Sequence, residues 1–483
     1  DTGELSFASE VKAILARDDA KAALNEQALH LVMNFRYLPD HRSMFRGIDQ
    51  LAAGQILCWE PSGSIEIQTY EFDTDQTTNA EALASSTMLN EVVLEGLRES
   101  VNSHLVADVE VGAYLSGGID SASVVALARA SLPQRLRTFT VDAGDDPNEA
   151  ANAERTAALL GVTNLQQQLQ LSAEQLKQVV WHLEVPKINA LQIAAVANHA
   201  AKHVKVSLSG LGGDELFLGY NVHKHFAFIQ SFQRHSPAAV SSVAKYLTPL
   251  LAAMMPEPWS ELERIMLIAA QRADWPRIYG LLRNVWDSPA MQEKIYGPRM
   301  LDQQLPDAFE LIATRWPQQA DPLLAMRDFE WQHKMVNDLL WQEDRCSMAV
   351  GLEVRVPFVD KTLQQRVWQL QRGQLMPKGK PKGLMREAVT ALLPAEILTR
   401  RKSGFQVDAP QFFHQQLQGL ADHYLSDAAI QKHQLFNPAF VREVRTYGTN
   451  TRYRWHFFML YLMICTHLWI ELFEEGNTGF DCK

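Results

Sequence analysis

Val109-Glu110-Val111-Gly112-Ala113-Tyr114-Leu115-Ser116-Gly117-Gly118-Ile119-Asp120-Ser121-Ala122-Ser123-Val124-Val125-Ala126-Leu127-Ala128 passes from a short apolar strand through a two-glycine turn into a helix. Glycines let backbone approach a ligand without a Cβ in the way. The helix starting near Ser121 aims its unpaired N–H groups back at the turn, which makes an anion site. Ser116 and Ser121 add hydroxyl donors, so the expected guest is a phosphate or pyrophosphate. No Gly-Lys-Ser/Thr follows, so this is not a Walker loop, nor is it a spaced dinucleotide fingerprint. Asp120 would repel a phosphate unless a cation sat between them, so Mg²⁺ is expected.

A second turn repeats the device. Leu208-Ser209-Gly210-Leu211-Gly212-Gly213-Asp214 follows the strand expected over Lys205–Gly210 and supplies a second carboxylate. Asp120 and Asp214 on neighbouring strand ends can hold one Mg²⁺ against phosphates. Between the turns, Arg137–Asp142 reads as a strand and Glu149–Leu160 as a helix. Such alternation predicts an α/β fold, a parallel sheet with helices on both faces and ligands at the carboxyl ends of its strands. From about residue 225 the pattern is helical.

Two further stretches carry charge. Asp344 to Asp360 alternates charged and apolar residues, and its charges are expected to form buried pairs. Within it Glu353 is the candidate substrate-facing carboxylate. Arg400-Arg401-Lys402-Ser403-Gly404-Phe405 sets Lys402 beside Gly-Phe, where it could neutralise charge on departing pyrophosphate. Lys382-Gly383-Leu384-Met385-Arg386 belongs to the same stretch, and the plain alternative for the whole of it, Lys402 included, is a basic cluster favoured at a helix C-terminus.

The first 72 residues differ. Leu5–Glu10 reads as a strand, and Gln55–Trp59 with Ser64–Tyr70 as a hairpin. This unit resembles the rear of a β-rich domain. Residues 73–86 are polar and read as a linker, and a long helix is expected over Ser86–Asn102. The 483 residues carry a net charge of −11, which argues against nucleic acid or an acidic membrane surface as partner. Cys58, Cys346, Cys465 and Cys482 are scattered, which suggests neither a disulfide framework nor zinc and fits a reducing, cytoplasmic setting. The apolar run Trp455–Phe473 contains His456, His467 and Glu471, so it is expected to be a buried helix rather than a membrane span. The chain opens at Asp1 and is read as processed or truncated.

Ser116-Gly117-Gly118-Ile119-Asp120-Ser121 resembles the pyrophosphate loop of the ATP pyrophosphatases. Together with Ser209–Tyr220, Ser347-Met348-Ala349 through Pro357-Phe358-Val359-Asp360, and Lys402-Ser403-Gly404-Phe405, it is similar to the glutamine-dependent asparagine synthetase family. Phe7-Ala8-Ser9-Glu10 resembles the end of that family's glutaminase domain. The resemblance implies an ATP-pyrophosphatase-type domain over 87–483 behind a partial glutaminase-like domain over 1–72. It implies ATP near Leu115, Val141, Ser209 and Gly210, and pyrophosphate held by Ser116, Gly117, Gly118 and Ser121. Mg²⁺ would sit on Asp120 and Asp214, with Lys402 catalytic. A carboxylate, aspartate first, would become an acyl-adenylate and then be amidated by ammonia from glutamine, through an internal channel if the front domain exists. A homodimer is among the expected assemblies.

Two departures matter. The family's amino-terminal cysteine, arginine, Asn-Gly-Glu and aspartate have no counterpart, and neither Cys58 nor Cys346 stands at a free amino terminus. Leu211 replaces the acidic residue usual after Ser-Gly in asparagine-making members, and leucine cannot transfer a proton. Rival expectations are therefore a relative acting on another carboxylate, a lactam-closing cyclase, and a non-catalytic binding relative.

Overall fold

The computed structural model describes residues 5–17, 21–60, 63–70, 86–132, 136–142, 149–169, 172–188, 190–237, 241–247, 261–400, 410–450 and 453–476. The chain is an α/β protein built on a five-stranded, wholly parallel sheet. Its strands are β3 (Val111–Tyr114), β4 (Arg137–Asp142), β5 (Thr163–Gln168), β6 (Val206–Leu208) and β7 (Glu353–Arg355), in spatial order β5-β4-β3-β6-β7. A separate antiparallel pair, β1 (Gln55–Trp59) and β2 (Ile65–Thr69), forms the expected hairpin.

The order places the site. From β3 the chain first builds outward through β4 to β5, then returns to the other side of β3 to lay down β6 and β7. The reversal leaves a crevice between β3 and β6 at their carboxyl ends, where ligands of such sheets bind. The Ser116 and Ser209 turns leave from those two strand ends.

Strand alternation divides the interior. Val111, Ala113 and Leu115 face a core shared with the helices Ser86–His104 and Ile119–Ser131. Tyr114 faces the opposite core, made with the helices Ala173–Leu183, Ala190–Ala201 and Arg454–Trp469. That last helix is buried on every side, with Leu462, Met463 and Ile464 at 0% exposure. Continued to Glu474, it is the one helix among the described residues long and apolar enough to cross a membrane, and it lies inside the protein. A helix apolar all round belongs in a core. Trp469 donates its indole N–H to the Glu184 carbonyl (2.9 Å) and packs 4.8 Å from the Phe45 ring.

Three expectations change. Leu5–Glu10 is not a strand: none of its six residues joins a β-ladder, and Glu10 leads into the helix Val11–Leu15. The sheet gains β5 and β7, which the sequence reading lacked. The helix Glu26–Phe35, also unread, buries Leu29 and Val32 in the same core as the C-terminal helix. The first residues are thus not all a β-rich unit set apart, although the hairpin leaves Trp59, Ile65 and Ile67 exposed.

Candidate active site

The first turn is tied from below. Leu115 N–H donates to the Phe139 carbonyl (3.0 Å), and the Thr140 hydroxyl donates to the Leu115 carbonyl (2.6 Å). Ser116 N–H donates to Ser121 Oγ (3.2 Å), and Ser121 Oγ lies 3.2 Å from Ser116 Oγ. The turn needs glycine at 117, where φ is +73° and a Cβ would come within 2.9 Å of the Asn152 backbone. The helix Ile119–Ser131 begins at Gly118, which offers its first N–H groups no side-chain cap. Those groups and the positive end of the helix dipole remain for a ligand.

The second turn presses against the first. A Cβ on Gly210 would lie 2.7 Å from the Ser121 nitrogen, so only glycine allows the two loops to meet. Ser209 N–H donates to the Arg355 carbonyl (2.8 Å), and Leu211 N–H donates to Ser209 Oγ (3.3 Å). Val141 lies buried one residue from the end of β4.

Asp120 and Asp214 converge on one cation that the sequence reading had left aside. Lys382 Nζ pairs with Asp120 and, at 2.8 Å, with Asp214 Oδ1. Burial alone would lower the lysine pKa, but Asp120 and Asp214 outweigh it and hold it above the ordinary value. Lys382 has a left-handed backbone (φ 53°) at the start of the helix Gly383–Ala388. The Pro381-Lys382-Gly383 punctuation was the available signal for a helix start rather than an end.

The donor set suits Mg²⁺. Two carboxylates already gather around a positive charge. Among the described residues no group of three or more His, Cys, Asp or Glu could hold a metal. A cation here would take the rest of its oxygen ligands from phosphate and water, as Mg²⁺ does.

Arg400 braces the first loop, with one guanidinium nitrogen reaching the Gly117 carbonyl (3.0 Å), the Asn152 carbonyl (3.1 Å) and Thr156 Oγ1 (2.8 Å). Lys402, the candidate catalytic lysine, lies outside the described residues. Glu353 does not join the site. It opens β7 level with Val206, the first residue of β6, and so stands at the amino-terminal edge of the sheet. Its side chain is 58% exposed and pairs with Arg355 Nε (2.7 Å). Arg345 pairs with Glu10 (3.4 Å) and Glu184 (3.7 Å), and Asp360 caps the helix Lys361–Trp368.

Behind Asp214 lies a buried polar layer. Glu215 accepts from the Tyr220 hydroxyl, and burial together with Asp214 pushes its carboxyl up to about 7. Glu330 accepts from Tyr279 (3.1 Å), lies 3.1 Å from His223 Nε2 and pairs with Arg283. Burial would raise its pKa, but Arg283, His223 and Lys334 hold it below the usual carboxylate range.

Comparison with known proteins agrees with this arrangement. The family model described as asparagine synthase matches residues 92–471, and the one described as glutamine amidotransferase domain matches residues 1–71. Asparagine synthetase [glutamine-hydrolyzing] 1 of Bacillus subtilis is 30% identical over 414 residues, which is 84% of this chain and 62% of that protein. A putative asparagine synthetase of Mycobacterium tuberculosis is 29% identical over 423 residues, with the same shares. Amidase chyE of Penicillium rubens is 29% identical over 246 residues, 46% of this chain and 35% of that protein. The chain spans about three fifths of the length of the first two relatives. With two glycine turns meeting at the sheet's reversal point and a family match over most of its length, the chain belongs to the asparagine synthase family.

Proposed function

We propose that this chain is the synthetase part of an ATP-dependent, AMP-forming amide ligase, with aspartate as the carboxylate and ammonia, normally drawn from glutamine, as the amine. The observation that carries the reading is the convergence of Asp120, Asp214 and Lys382 beside the two glycine turns. The Gly117 and Gly118 backbone, the uncapped N–H groups at the start of the helix Ile119–Ser131 and the Ser116 and Ser121 hydroxyls take the pyrophosphate. Leu115, Val141, Ser209 and Gly210 border the adenosine. Asp120 and Asp214 hold Mg²⁺, which when bound offsets charge on the phosphate oxygens.

The substrate carboxylate attacks the α-phosphorus, and the bond to the β-phosphate oxygen breaks. Pyrophosphate leaves into the serine-glycine nest, with Lys382 and Lys402 as the cations that meet its charge. Ammonia then attacks the acyl-adenylate carbonyl and AMP leaves. Pre-placed donors act here because they need no reorganisation when charge develops.

Leu211 favours a second reading, a ligase of the same chemistry acting on another carboxylate. One assay separates the two: pyrophosphate release from ATP-Mg²⁺ with ammonium chloride, with and without aspartate. Aspartate-dependent release with asparagine formed supports the first reading. Release that ignores aspartate but responds to a peptide or uronic acid supports the second. No release with any carboxylate overturns both.

A further inference from the structure

On the Tyr114 side of the sheet lies a set of polar atoms that neither the phosphate site nor the buried layer behind Asp214 uses. The helix Trp341–Met348 buries Glu343, and Glu343 Oε1 has no hydrogen-bond partner among the described residues. Tyr114 is the last residue of β3, one residue before Leu115 and two before Ser116. Its buried hydroxyl also has no hydrogen-bond partner among the described residues. Gln192 Oε1, on the helix Ala190–Ala201, is a third. That helix packs on Trp341–Met348, where Cys346 Sγ, one turn from Glu343, lies 3.8 Å from the Ala190 carbonyl. Buried polar atoms are ordinarily paired, so unpaired acceptors on the last residue of β3, on the helix Trp341–Met348 and on the helix packed against it call for a ligand.

Charge narrows the ligand. Burial pushes the Glu343 carboxyl up to about 7. Burial, then Glu343 and Cys346, raises the Tyr114 phenol. The charges on neighbouring elements are spent elsewhere: Lys187 on Asp338, Lys334 on Asp338, Glu184 on Lys12 and Arg345, and Arg355 on Glu353. Two acceptor oxygens and a hydroxyl suit a small group rich in N–H donors and repel a carboxylate or phosphate.

Resting on the ligase reading above, we infer that Glu343, Tyr114 and Gln192 form the ammonium site, and that Glu343 takes the proton that frees the attacking nitrogen. The step balances. Ammonium gives one proton to the Glu343 carboxylate, and the lone pair so freed forms the C–N bond. The C–O bond to AMP breaks with its electron pair on AMP, and the second nitrogen proton leaves to solvent. This supplies a proton acceptor where Leu211 cannot.

Binding is tested first, without any carboxylate substrate. At pH 8, ammonium chloride should raise the melting temperature of the wild-type chain by a few degrees over equal sodium chloride. Tetramethylammonium chloride, too large and lacking N–H, should not. The ammonium-specific rise should vanish in Glu343→Gln and shrink in Tyr114→Phe. No such rise in the wild type, or a full rise in Glu343→Gln, overturns the site. Turnover adds a second arm, with aspartate as carboxylate. Glu343→Gln should keep pyrophosphate release trapped by hydroxylamine, a nucleophile already neutral at this pH, while losing about 100-fold with ammonium. Equal loss with both nucleophiles marks a structural role and overturns the proton-acceptor assignment. Failure of the ligase reading looks different, since the wild type then releases no pyrophosphate with either nucleophile.

Discussion

Two sets of carboxylates flank the carboxyl ends of the sheet, and they are kept in opposite states. Asp120 and Asp214 are partly buried and share the buried ammonium of Lys382, which favours the charged form of both. Glu343 is more deeply buried, no cation among the described residues pairs with it, and burial pushes its carboxyl up to about 7. The same functional group is thus built once as a fixed charge and once as a group that changes charge near pH 7. A fixed charge suits holding a cation and phosphates, and a switchable one suits moving a proton.

The sharpest way to break the contrast is Asp120→Ala. It should lower pyrophosphate release by about 10³-fold, and normal release would remove Asp120 from the phosphate chemistry. Next is Lys382→Met, which removes a buried ammonium from two partly buried carboxylates. Breaking such an ion pair costs about 3–5 kcal/mol, so the denaturant midpoint should fall, with partial recovery in magnesium chloride. An unchanged midpoint would mean that the aspartates do not depend on that lysine.

The pH dependence of Glu343 is smaller. The folded chain keeps this proton up to about pH 7, whereas the unfolded chain loses it near the ordinary 4.5. Between those values the folded state holds the extra proton, so the group costs stability as pH rises and the cost levels off above pH 7. Glu343→Gln should therefore gain on wild type across that window, by roughly 3 kcal/mol at most. A constant difference from pH 4 to pH 8 would show that Glu343 titrates normally. The smallest effect belongs to Glu353→Gln, at the far edge of the sheet, where turnover should change less than about twofold because exposed ion pairs contribute little. A large loss would bring Glu353 back toward the site.

What could be read beforehand follows from where the information lies. The Ser116 and Ser209 turns are local, because glycine, serine and aspartate at fixed spacing announce a strand-to-helix corner by themselves. β3, β4 and the buried C-terminal helix announce themselves by apolar pattern. β5 does not, since Thr163-Asn164-Leu165-Gln166-Gln167-Gln168 is an edge strand facing water over much of its length. β7, three residues long, is too short to show a period. Glu353 misled because one-dimensional alternation tells which face a residue takes but not which end of the sheet it reaches. Lys382 meets Asp120 across 262 residues, and no local pattern carries a partnership of that span.

The C-terminal helix also has a consequence for how the protein is made. Phe45 waits for Trp469, Lys177 for Glu471 (3.5 Å) and Arg299 for Glu474 (2.8 Å). Each early partner leaves the ribosome long before its mate. At about 5–20 residues per second, Phe45 stands without its cover for roughly 20 to 80 s. Throughout that interval the apolar surface that will receive the helix is open to chaperones and to other nascent chains. A premature stop anywhere before Arg454 would thus leave an open core rather than a shorter enzyme.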